Sequence, residues 1–182
     1  MALSKIDAAN FLDGTLPDTN INNASLDNVT GLPAGVGGKV LQVVNASFSG
    51  DSSNTTSTSF VDTANVLNIT PLSSNSKIIV FSEGAVSIAV GSGNQRIDLR
   101  LIETVTSATI SDKRYIGQDG TGHNKLNIPV NLSGTFTNSS TAQKTFKMQL
   151  RKAEANATES GEINLNWYTG ATHTISAMEI EI

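Results

Sequence analysis

Phe146-Lys147-Met148-Gln149-Leu150-Arg151 sets an apolar side chain at every second position, with a charged or amide group between each pair. Successive residues of a strand point to opposite faces, so this period of two gives one face to a core and the other to water. The same alternation recurs on both sides of the segment. Upstream, Ile97, Leu99 and Leu101 stand against Asp98 and Arg100. Leu126, Ile128, Val130 and Leu132 stand against Asn127, Pro129 and Asn131. Pro129 marks an edge strand or a bulge, because proline cannot donate to a ladder. Downstream, Ile163, Leu165 and Trp167 alternate with Asn164, Asn166 and Tyr168, and the last strand sets Met178, Ile180 and Ile182 against Glu179 and Glu181. Clusters of Gly, Ser, Asn and Asp separate these runs. Residues 39–182 therefore read as all-β, an antiparallel sandwich or barrel of about eight or nine strands.

Three runs break the simple alternation. Val40 to Val44, Phe60 to Ile69 and Ile78 to Val90 are apolar on both faces over part of their length, most clearly at Ile78-Ile79-Val80-Phe81. Each sheet of a sandwich turns one face to the core, so something else must cover the second face: another subunit, or a loop folded over the sheet. Val43, Ile79 and Phe81 are the candidate interface residues.

Composition narrows the chemistry. In 182 residues, 38% are hydrophobic and 15% charged, and Asn, Ser and Thr together make up about a third. The length fits one principal domain whose surface is built of uncharged hydrogen-bonding groups. With no cysteine, disulfides, thiolate zinc sites and Cys nucleophiles are excluded. A net charge of −4 with 12 scattered basic residues argues against nucleic acid as a partner. No apolar run approaches a membrane span, and the start, Met1-Ala2-Leu3-Ser4-Lys5, lacks a signal-peptide core, so a soluble, unprocessed chain is expected.

Residues 1–38 differ in kind. Ser4 as a helix N-cap, Asp7 three residues on, apolar Ile6, Phe11 and Leu12, and Gly14 as a stop predict a helix of barely two turns. So short a helix needs a partner to dock on. Leu16, Ile21 and Leu26 follow at intervals of five, which suits an extended segment laid along a neighbour or a short solenoid-like turn. The breaker run Leu32 to Gly38 predicts a boundary there. The expected organisation is an attachment segment, 1–38, followed by a β-sandwich head, 39–182.

Catalytic and metal chemistry find little footing. Gly91-Ser92-Gly93-Asn94 precedes a strand and reads as a hairpin turn, whereas a phosphate loop needs a helix after it. Asp119 and His123 share a loop without metal-ligand spacing, and His173 reads as a turn residue. No Gly-x-Ser-x-Gly elbow occurs. Paired carboxylates for glycoside cleavage could come only from Glu83 with Glu103, or from Glu154, Glu159 and Glu162 in a polar loop. No catalytic residue, cofactor or metal ligand is assigned. Lys144, Lys147, Arg151 and Lys152 form a basic stripe that reads as an exposed strand face or as a contact for an anionic surface polysaccharide. Tyr115 and Tyr168 are candidates for stacking on sugar rings, with Lys147 and Arg151 as further glycan contacts.

The opening Met1-Ala2-Leu3-Ser4-Lys5-Ile6, the Gly14-Thr15-Leu16-Pro17-Asp18 step and the junction from Leu32-Pro33-Ala34-Gly35 into Gly38-Lys39-Val40-Leu41-Gln42-Val43-Val44 resemble virion appendage proteins of tailed bacteriophages. Leu67-Asn68-Ile69-Thr70-Pro71, Ser74-Asn75-Ser76-Lys77-Ile78-Ile79-Val80 and Ile175-Ser176-Ala177-Met178-Glu179-Ile180 continue the resemblance, which is least distinctive over 85–160. The resemblance implies a jelly-roll-like β-sandwich with a short helical or extended N-terminal anchor. It also implies a homotrimer on the particle surface, assembled in the host cytoplasm and held to other virion proteins through Ile6, Phe11, Leu12, Leu16, Ile21 and Leu26. The function expected is a non-enzymatic contribution to host-surface attachment as part of a fibre or spike, with a host-surface glycan as a candidate ligand. Capsid decoration is the alternative, and a carbohydrate-processing enzyme a minor one.

Overall fold

The structure, a computed structural model, describes residues 39–49, 53–88, 93–119, 126–153, 163–165 and 172–182. The chain divides into two units, Met1–Gly37 and Gly38–Ile182, and the second contains all described residues. The predicted helix and the five-residue repeat of the anchor lie outside them, as do Tyr168, Trp167, His123 and Glu154, Glu159 and Glu162.

The described residues form ten strands and no helix: β1 (Val40–Ser49), β2 (Ser53–Thr55), β3 (Val61–Ile69), β4 (Ser76–Ile88), β5 (Gly93–Glu103), β6 (Ala108–Asp119), β7 (Leu126–Thr137), β8 (Lys144–Lys152), β9 (Ile163–Leu165) and β10 (Thr172–Glu181). Strand β4 organises the first sheet. One of its edges pairs with β7 from Lys77↔Thr137 to Ile88↔Leu126. Its other edge pairs with β10 as far as Glu83 and then with β9 from Val86 onward. β1 pairs with β10 as β2 pairs with β9, so this sheet is four strands wide, with two of its lines built from two strands each. The second sheet runs β3-β8-β5-β6. All pairings are antiparallel, and the chain passes repeatedly from one sheet to the other, as it does in a jelly roll.

The alternation read from sequence is what fills the space between the sheets. Ile97, Leu99 and Leu101 of β5 and Phe146, Met148 and Leu150 of β8 meet Ile78 and Val80 of β4, Leu132 of β7 and Ile175 of β10 in one buried cluster. Phe136 meets Phe146 edge to face at 5.8 Å. Each such side chain contributes about 1.5–3 kcal/mol by leaving water. β7 lies at the edge of its sheet, where Pro129 leaves no ladder donor missing.

Four expectations are corrected. β4 and β5 lie in different sheets and so are not joined as a hairpin; Gly93 and Asn94 already belong to β5, and Gly91 and Ser92 lie outside the described residues. His173 sits in β10, fully buried, where its Nε2 meets Ser82 Oγ at 2.8 Å. Lys144 and Lys152 share the inward parity of β8 and are buried, so the basic stripe shrinks to Lys147 and Arg151. In β10 it is Ile175, Ala177 and Glu179 that point inward, which turns Met178 and Ile180 outward.

The inward Glu179 has a physical reason. Its carboxylate accepts bonds from Gln42 Nε2 at 2.6 Å, from Ser76 Oγ at 2.8 Å and from the backbone N–H groups of Leu72 and Ser73. It thereby holds the connection between β3 and β4. Burial alone would raise its pKa, but these donors outweigh burial and lower it. Glu103, also buried, does the same for the turn after β5, accepting from the N–H groups of Val105 and Thr106 and from Thr106 Oγ1.

Candidate assembly interface

The outward parity of β1, β10 and β4 produces an apolar band on the first sheet. Register places Val43 beside Met178 and Met178 beside Ile79, one row across three strands. Ile180 and Val40 pair in an adjoining row, and Phe81 follows Ile79 along β4. Val43 is 58% exposed, Val40 50% and Phe81 42%, so these are open side chains and not partly sunk ones. Ile79, Thr135, Thr137, Ile180 and Ile182 line a shallow depression of about 380 Å³, rimmed by Lys77 and Glu181. The band thus unites the three residues singled out from sequence with Met178, Ile180 and Val40. Met178 and Ile180 escape a reading that sends every apolar residue of a last strand to the core. The signal for them is the parity of Ile175 and Ala177, which are odd-numbered like Glu179.

β10 and β4 have both edges paired along the band, so what it offers is side-chain packing across a sheet face. An apolar face of this kind gains about 25 cal/mol for each Å² it loses to contact.

The outer face of the second sheet is of the opposite character. Asp98 stands between Arg151 and Arg114, with Nε–Oδ1 at 2.7 Å to Arg114 and Nη2–Oδ2 at 2.8 Å to Arg151. Lys147 bonds Asp62 at 2.7 Å, and Gln149 bonds the other oxygen of that carboxylate. The guanidiniums of Arg100 and Arg151 lie over the Phe60 ring, 3.9 and 4.4 Å from its centre. Bonding to Gln149 and Lys147 lowers the pKa of Asp62, and bonding to Arg114 lowers that of Asp98. Lys147 and Arg151 are therefore half-buried on the outer sheet face and already engaged there with carboxylates. Tyr115 turns its hydroxyl to the backbone of Asn131, bonding both N and O at 3.1 Å.

Glu83 lies on the outer face of the first sheet, while Glu103 ends β5 of the second sheet beneath its own turn, so the two do not form a carboxylate pair. Among the described residues no three of His, Cys, Asp or Glu gather as a metal site, and no helix is long and apolar enough to cross a membrane.

No protein-family model matches the chain, and no curated protein matches it. Among solved structures it is similar to one titled "CBM4 structure and function", at 13% identity and a TM-score of 0.20, over 76% of this chain and 80% of that one.

Proposed function

We propose that the protein is a non-enzymatic, self-assembling structural subunit of a tailed-phage particle, a homotrimer displayed on the virion surface that contributes to host attachment. The apolar band from Val43 through Met178 to Ile79, with Phe81 beside it, carries the assembly part of this reading, because the described residues leave that band open to water. Closed cyclic symmetry buries such a face on every subunit and leaves none over. The sequence resemblance supplies the setting and the number three.

The test compares particles carrying the protein with particles lacking it. Attachment predicts slower adsorption to host cells with normal heat resistance of the particle. Normal adsorption with genome release at a lower temperature would contradict it and assign the protein to capsid decoration.

A further inference from the structure

Beyond the apolar band the same sheet face changes character. Ser47, Thr174, Glu83 and Asn131 stand in one row across β1, β10, β4 and β7, each the register partner of the next. Ala85 and Pro129 pair next to them along β4 and β7. Glu83, Ala85, Pro129, Asn131, Thr172 and Thr174 line an open depression of about 560 Å³, within the about 300–1,000 Å³ usual for small-ligand sites.

The geometry points to this depression as a binding site for a neutral glycan. A row of hydroxyl, carboxylate and amide offers what adjacent sugar hydroxyls need: acceptors for two O–H groups at Glu83, and both a donor and an acceptor at Asn131. The Ala85–Pro129 step is small, rigid and apolar, a floor for the C–H face of a pyranose ring. Glu83 is exposed, and among the described residues nothing pairs with its carboxylate. A lone negative charge disfavours an anionic ligand, and a single carboxylate is too few for a divalent cation. Asn131 is held in place from behind, since Tyr115 Oη bonds its backbone N and O and Lys113 Nζ bonds the same carbonyl at 2.8 Å. Tyr115 is thus a positioning residue for the site. With no aromatic platform in the lining, single-site affinity is expected at about millimolar Kd, raised by avidity when several copies engage one surface. This site gives the attachment role its ligand class, and rests on that reading only for its biological use.

The experiment is saturation-transfer and heteronuclear NMR on the full chain with neutral hexoses, deoxyhexoses, N-acetylhexosamines and their short oligomers. At least one of these is expected to bind and to shift the amides of 83–85, 130–131 and 172–174. Glu83→Ala should abolish binding, Asn131→Ala should weaken it about tenfold or more, and Tyr115→Phe should weaken it without changing charge. Lys147→Ala and Arg151→Ala should leave it unchanged. Absence of binding by the whole panel, binding that survives Glu83→Ala, or shifts confined to Lys147 and Arg151 would overturn the site. So would amide shifts at 83–85 that appear only with Ca²⁺ or a simple amine. Light scattering on the same samples separates the two proposals: loss of sugar binding in an intact trimer removes only the site, and a sugar-binding monomer removes only the assembly.

Discussion

His173 is the residue whose burial has the clearest consequence in solution. Its ring lies against Gly84, where any added Cβ would fall 2.2 Å from Nδ1, and desolvation lowers its pKa from 6.5 to about 4. At pH 7 the imidazole is neutral in the folded chain and mostly neutral in the unfolded one, so it contributes little pH dependence there. As pH falls below 6.5 the unfolded chain takes up a proton that the folded chain refuses until about pH 4, so stability declines across that window by up to about 3 kcal/mol. Denaturant midpoints at pH 7 and 4.5 should show this decline in the wild type and much less of it in His173→Leu. The depressed carboxylates Asp62, Asp98, Glu103 and Glu179 act lower. Their stabilisation is present above ordinary carboxylate values and is lost as pH falls from those values through the lowered ones, so it meets the histidine window only at its acid end. Glu179→Gln should cost about 2 kcal/mol at neutral pH in thermal or denaturant unfolding, since an amide keeps one oxygen and turns a donor toward the N–H groups of the β3–β4 connection.

Among elements, β6 and β7 approach so closely that a Cβ on Gly134 would sit 2.3 Å from the backbone oxygen of Ile110. Backbone cannot yield as a side-chain tip does, so Gly134→Ala should destabilise the fold by about 1–3 kcal/mol, whereas the exposed neighbour Ser133→Ala should leave the denaturant midpoint in place. Strands such as β5 and β8 are legible in sequence because each buries one face and wets the other. Ile97, Leu99 and Leu101, like Phe146, Met148 and Leu150, are buried as their spacing demands. β10 is not legible in that way. Its apolar residues change parity between Ala177 and Met178, and the inward place of Glu179 depends on donors from Gln42, Leu72, Ser73 and Ser76, more than a hundred residues away in the chain. Val43, Ile79 and Phe81 could be suspected because two apolar parities overlap in one run, but their union in a single band depends on β10 lying between β1 and β4. The row of Ser47, Thr174, Glu83 and Asn131 brings together residues from four strands by register alone, and no local pattern marks it.

For the whole molecule, the two sheet faces predict opposite responses to salt. The outer face of the second sheet is knit by ion pairs that are partly exposed and screened, while the band on the first sheet is apolar. Association should accordingly persist from low to high salt and weaken on a single polar replacement within the band. The central claim is that this band is a subunit interface, and the mass of the protein in solution tests it most directly. Sedimentation equilibrium or light scattering at micromolar concentration should return three times the chain mass for the wild type. Ile79→Asp should return the monomer mass with an unchanged β spectrum in circular dichroism. A wild-type chain that stays monomeric under those conditions, or an Ile79→Asp variant that remains trimeric, would contradict the account.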